Sequence, residues 1–276
     1  MFDYHEGNVK VNGIKLHYYR TGGNKPPLVL LHGATDSGLC WTPVAVFLQP
    51  RHDVIMVDAQ GHGFSDRLDS DFAFSNHTHQ IIGLINELRL GRPIIMGHSM
   101  GAGTAVNIAV EQPELPKAII LEDPAWHAGE DMAAENSEEM IKQREAFMEA
   151  PTGYGQRTLD EIIEEGRKNN PTWSEAEIIP WAMSKLQFDP ELFSKLHIDR
   201  PTYEELVPKI DCPTLLIMSD GGLVNIDTAE KAASIWKSDK PFKWVQITGA
   251  GHNIRREQFG KYRETLLDFL DSLTTS

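Results

Sequence analysis

Three residue clusters in this chain carry the side-chain types needed for nucleophilic attack at an acyl carbon. The sharpest is Gly97-His98-Ser99-Met100-Gly101, preceded by Ile94-Ile95-Met96 and followed by a small-residue helical run, Thr104 to Val110. Buried strand, sharp turn and helix together form the setting of a nucleophile elbow. A serine at such a turn sits at strained backbone angles, so its flanks must be nearly free of side chains, which Gly97 and Gly101 supply. The geometry exposes Ser99 Oγ and points the Met100 N–H at a substrate. A second cluster, His32-Gly33-Ala34, follows the apolar run Leu28 to Leu31, where the Ala34 N–H is expected to complete an oxyanion hole with Met100. The third is Gly249-Ala250-Gly251-His252-Asn253, at the end of Val245-Gln246-Ile247. His252 is the expected general base.

These clusters need a sheet to hold them at one edge, and the hydropathy pattern supplies it. Leu28 to Leu31, Val54 to Val57, Ile94 to Met96, Ala118 to Leu121, Leu215 to Met218 and Trp244 to Ile247 read as buried parallel strands, alternating with helical patterns. Val9 to Val11 and Ile14 to Tyr19 flank Asn12-Gly13, the two-residue turn of an antiparallel hairpin. The 276 residues, 41% hydrophobic and 24% charged, suit one large core. The N-terminus has neither a basic region nor a long apolar run, so no membrane span or secretory signal is expected and a cytoplasmic location is. A net charge of −14 disfavours nucleic acid and anionic membrane as partners. Of that charge, −10 lies between Ala125 and Pro208, with 18 acidic against 8 basic residues, consistent with a solvated acidic face. Cys40 and Cys212 are too few for a disulfide framework and read as buried thiols. No cluster at metal-ligand spacing and no Gly-x-Gly-x-x-Gly after the first parallel strand are present, so neither metal nor cofactor is expected. His98 reads as a hydrogen-bonded packing residue on the opposite side of the elbow, and His32 and His62 as parts of turns that position the oxyanion loop.

The motifs, in the order serine then histidine, resemble the α/β-hydrolases of the esterase and lipase type, over about Val9 to Leu270. The resemblance implies a doubly wound, mostly parallel eight-stranded α/β sheet with a helical cap inserted after the sixth strand. Residues 1–124 and 209–276 would form the core and 125–208 the cap, which is helix-rich, proline-punctuated and unusually aromatic. Its Trp126, Phe147, Met148, Tyr154, Trp173, Trp181, Met183 and Phe188 would mainly bind cap to core. Trp126 and Trp181, with Gly33 of the oxyanion turn, are the candidate pocket residues.

One position departs from the common family pattern. Most relatives carry the triad acid in a Gly-x-x-Asp turn after the seventh strand, but the matching turn here is Ser219-Asp220-Gly221-Gly222. A histidine with no anion beside Nδ1 loses tautomer control, so another carboxylate should serve. Some superfamily members place the acid after the sixth strand, at a position that aligns with Asp123 in Leu121-Glu122-Asp123-Pro124. Asp123 is therefore the first candidate, Asp220 the second and Glu122 the third. The resemblance implies a serine hydrolase acting on small-molecule carboxylic esters or lactones of small to medium apolar character, as a monomer or homodimer. A C–C bond hydrolase of ring-cleavage products and a non-enzymatic ligand receptor are the alternatives.

Overall fold

The computed structural model describes residues 4–68, 72–126, 154–197 and 201–274. Eight strands form one sheet: β1 (His5–Val11), β2 (Ile14–Arg20), β3 (Pro27–Leu31), β4 (Asp53–Val57), β5 (Ile94–His98), β6 (Ala118–Glu122), β7 (Thr214–Gly221) and β8 (Phe242–Gly251). Their spatial order is β1-β2-β4-β3-β5-β6-β7-β8. The expected hairpin opens the sheet antiparallel, with Asn12 and Gly13 both at positive φ, and β3 through β8 run parallel. The doubly wound architecture read from the sequence is thus present.

Alternation along each parallel strand explains why these runs are apolar throughout. Leu28, Leu30, Val54 and Met56 face one layer, packed with Trp41, Val44, Tyr262 and Leu266. Val29, Leu31, Ile55 and Val57 face the other, packed with Ile81, Leu84, Ala102 and Ala105. Helices cover both faces, so neither set of side chains meets water. The covering helices are α1 (Thr42–Leu48), α2 (Phe74–Glu87) and α3 (Met100–Glu111), with two more after β7 and β8. Between β6 and β7 lie α4 (Leu159–Asn169) and α5 (Glu175–Gln187), then α6 (Ile226–Ile235) follows β7 and α7 (Phe259–Ser272) follows β8. Helices α4 and α5 pack on each other, and α5 also meets α1 and the turn at Gly38–Trp41. Phe147 and Met148 lie outside the described residues. Among the described residues no helix is long and apolar enough to cross a membrane.

Strand order reverses beside β3, whose neighbours are β4 and β5. In open α/β sheets a crevice forms at the carboxyl ends of the strands at such a switch point. Here it falls between the turns that carry Gly33-Ala34 and His98-Ser99-Met100. Close packing behind the elbow depends on the two glycines. A Cβ on Gly97 would run into the Gly101 backbone, and one on Gly101 into the carbonyl of Leu31.

Gly97→Ala is expected to destabilise the fold by about 1–3 kcal/mol through overpacking. Calorimetry should show Tm falling by about 2–4 °C for each kcal/mol lost. An unchanged Tm would contradict this packing.

Candidate active site

Ser99 sits at φ 52, ψ −112 between β5 and α3, a backbone conformation that a non-glycine residue holds only when its surroundings force it. Two hydrogen bonds do so: Ser99 N–H donates to the Glu122 carbonyl at 3.0 Å, and Gly103 N–H donates to the Ser99 carbonyl at 3.1 Å. The elbow is thereby tied to β6 on one side and to the first turn of α3 on the other. Met100 opens that helix, so its N–H has no intrahelical acceptor. Neither this group nor the Ala34 N–H donates to another described residue.

The His252 ring meets Asp123, with Nδ1 2.6 Å from Oδ2. Asp123 is fully buried at the end of β6, itself at φ 42, and its carboxylate also accepts the backbone N–H groups of Leu223 and Val224 at 2.8–3.0 Å. Accepting at Nδ1, the Asp123 carboxylate fixes the imidazole tautomer, with the proton on Nδ1 and Nε2 left to accept. Asp220 is elsewhere: it accepts the N–H of Gly249 at 2.9 Å. Glu122 is turned away too, accepting from Arg255 N–H at 3.0 Å, Arg255 Nη1 at 3.1 Å and the Tyr262 hydroxyl at 3.0 Å. Gly222 has a steric reason. A Cβ there would lie 2.6 Å from Asp123 Oδ2, so the Asp123 carboxylate occupies the space that a side chain at 222 would need.

Ser99, His252, Gly33, Ala34 and Trp181 share the wall of a cavity of about 270 Å³. A smaller apolar pocket of about 20 Å³ also touches Ser99 and is lined by Phe74, Met100, Val106, Trp126 and Leu206. Trp126 thus lines the smaller pocket, with its ring stacked on Tyr203 at 5.4 Å, and Trp181 the larger. Gly33 must be small, because a Cβ would meet His98 Nδ1 at 2.7 Å. His98 differs from its expected placement. It is buried and hydrogen-bonded, with Nε2 2.9 Å from the His252 carbonyl, yet it lines the same cavity as Ser99 and its ring lies 4.5 Å from that of His252. His62 Nε2 accepts the Thr35 N–H at 3.2 Å and His32 Nε2 accepts the Ala59 N–H at 3.1 Å, tying the oxyanion turn to the loop after β4.

The larger cavity is not purely apolar, because Asp36, Lys185, Asn253 and Arg256 also line it. Asp36 takes Arg256 Nη2 at 2.7 Å, Arg255 Nη2 at 3.4 Å and lies 3.5 Å from Lys185 Nζ. Burial alone would raise the Asp36 pKa, but Arg256, Lys185 and Arg255 hold it well below the usual carboxylate range. Glu177 of α5 pairs with Arg256 Nε at 3.2 Å, and burial pushes its pKa up despite the two arginines. Sequence reasoning passed over this group. The available signal was Arg255-Arg256 just after His252-Asn253, which in sequence is indistinguishable from a solvated basic pair.

Burial also lowers the pKa of His32, His62 and His98, the last helped by Arg255 and His252. The folded protein keeps these imidazoles neutral, while the unfolded chain takes up protons below about pH 6.5. Stability should therefore be complete above that value and fall as pH drops below it, by up to about 1.4 kcal/mol per histidine per pH unit. Calorimetry between pH 7.5 and 5.5 should show Tm declining, and a flat Tm would contradict neutral burial of these rings.

A family model described as the alpha/beta hydrolase family matches residues 28–259. The chain is 33% identical over 104 residues to the 2-(acetamidomethylene)succinate hydrolase of Mesorhizobium japonicum, a match spanning 38% of this chain and 37% of that one. Against the N-formylmaleamate deformylase of Pseudomonas putida it is 25% identical over 279 residues, covering 96% of each. The crystal structure of an E-2-(acetamidomethylene)succinate hydrolase superposes with a TM-score of 0.76 at 21% identity, over 98% of this chain and 100% of that one. With the family model spanning most of its length, and a doubly wound sheet carrying a strained serine elbow, this chain belongs to the alpha/beta hydrolase family.

Proposed function

We propose that the chain is a serine hydrolase that opens carboxylic esters or lactones through an acyl-enzyme on Ser99. The observation that carries this reading is the 2.6 Å pairing of Asp123 with His252 Nδ1, at a cavity that Ser99 also lines. In this mechanism His252 Nε2 takes the Ser99 hydroxyl proton as Oγ attacks the carbonyl carbon. The oxyanion that forms accepts from the Ala34 and Met100 N–H groups, which have no other acceptor among the described residues. His252 then passes its proton to the departing alkoxide oxygen. Water, deprotonated by the same imidazole, releases the acid and restores Ser99. Asp123 holds the Nδ1–H and stabilises the imidazolium at each stage. Residues 125–208 act as the cap, supplying Trp181, Trp173 and Tyr154 to the cavity wall.

A second reading has a specific observation behind it. Two cations, Lys185 and Arg256, line the larger cavity against one carboxylate, Asp36. Among the described residues Arg256 spends one N–H each on Glu177, Asn253 and Asp36, leaving two of its five donors. The relatives named above act on a succinate and a maleamate, so a carboxylate-bearing substrate, cleaved at a bond other than an ester, fits the same wall. The C–C hydrolase alternative belongs with this reading.

Release of p-nitrophenol from esters of increasing acyl length is the first test. Wild type should give a burst of about one equivalent and then steady turnover, and Ser99→Ala neither. A burst-free wild type with every ester, hemisuccinates included, would move the assignment to C–C cleavage. In the same assay Asp123→Asn should lower kcat by about 10⁴-fold. Asp220→Asn should stay near wild type, and the reverse order would reassign the acid.

A further inference from the structure

Thr35, the residue after Ala34, is β-branched yet held at φ 66, where such side chains rarely go. Both of its oxygens accept from one donor. Lys185 Nζ lies 2.9 Å from the Thr35 carbonyl and 2.8 Å from Thr35 Oγ1, with Asp36 Oδ1 at 3.5 Å. Two of the ammonium's three N–H groups go to Thr35, and Asp36 of the same turn is its ion-pair partner. Lys185 is buried at the cavity wall. The other ties on the turn come from the sheet and its loops: His62 on the Thr35 N–H, the Gly33 carbonyl on the Asp36 N–H, and Arg255 and Arg256 on the Asp36 carboxylate. Lys185 alone among them comes from α5, 150 positions along the chain.

We infer that Lys185 is a positioning residue that arms the oxyanion hole: only with α5 seated on the core is the 33–36 turn held in the shape that presents the Ala34 N–H to the substrate. The inference rests on the acyl-enzyme reading above. Helix α5 contributes Trp181 and Lys185 to the cavity wall and the connection from α4 contributes Trp173, so lifting this segment opens the cavity and withdraws the ammonium from Thr35 in one movement. The turn then relaxes toward negative φ, and the backbone of residues 33–35 moves with it. Hydrolysis is thereby confined to the seated state.

The test is Lys185→Met, which keeps the stem and removes the donors. With the best p-nitrophenyl ester, kcat should fall on the order of 10²-fold while KM changes by less than about threefold. Affinity for an aryl boronic acid, which forms a tetrahedral adduct on Ser99, should fall in parallel with kcat. Adding Thr35→Gly to Lys185→Met should restore about tenfold of the lost kcat, since glycine adopts positive φ unaided. Wild-type kcat in Lys185→Met, or a loss that Thr35→Gly leaves untouched, overturns the inference. If Lys185→Met does not fold by circular dichroism, Thr35→Val, which deletes only Oγ1, should lower kcat about three- to tenfold at constant KM, and an unchanged kcat overturns it. Ser99→Ala in the same assay separates the two levels: activity there sinks the acyl-enzyme reading itself, whatever Lys185 does.

Discussion

A carboxylate buried at the wall of the candidate active site has to be neutralised, and much of this molecule is arranged around that requirement. Asp36 lies in the turn after β3, and the cations that answer it come from two other places: Arg255 and Arg256 just beyond His252, and Lys185 on α5. The same arginines reach Glu122 at the end of β6 and Glu177 on α5. A buried ion pair adds little net stability relative to an apolar core, but losing one partner is costly, so such a cluster acts as a constraint on geometry. It holds in register the four segments that carry the proposed oxyanion turn, the proposed acid, the proposed base and the inserted helices.

The backbone strain at the site is distributed over three side-chain-bearing residues. Thr35, Ser99 and Asp123 all have positive φ, and each is adjacent to or part of the proposed machinery. Each is also over-determined by hydrogen bonds from other segments: Lys185 and His62 at Thr35, Glu122 and Gly103 at Ser99, Ile217, Leu223 and Val224 at Asp123. Strained conformations persist only under that kind of support. The exchange between Asp123 and Gly222 follows the same logic. One carboxylate fits beside His252, and supplying it from β6 leaves no room for a side chain after β7.

Charge is partitioned in a way that composition hides. The chain carries −14 overall, while the cavity wall pairs two cations with one anion. The cavity therefore presents a local field opposed to the global one, because buried charges at short range are screened far less than the solvated surface.

Much of the fold was legible in the sequence. Strands buried on both faces leave continuous apolar runs, the hairpin leaves Asn12-Gly13, and the elbow leaves Gly97 and Gly101, because each is a local demand on residue type. The turns that carry Ser99, His252, Ala34 and Met100 were likewise readable, since strand ends place them by sequence alone. Element ends were less so: α3 begins at Met100, four residues before the apolar run that announces it, because the elbow itself starts the helix. What only the tertiary structure decided was which carboxylate meets His252 and what the remaining charges do. Asp123, Asp220 and Glu122 are the same functional group in similar strand-end contexts, and 129 positions separate Asp123 from the ring it touches. The roles of Asp36, Lys185 and Arg256 were illegible for the same reason: whether a charged side chain is solvated or buried against a distant partner is a property of packing between segments, which no local pattern records.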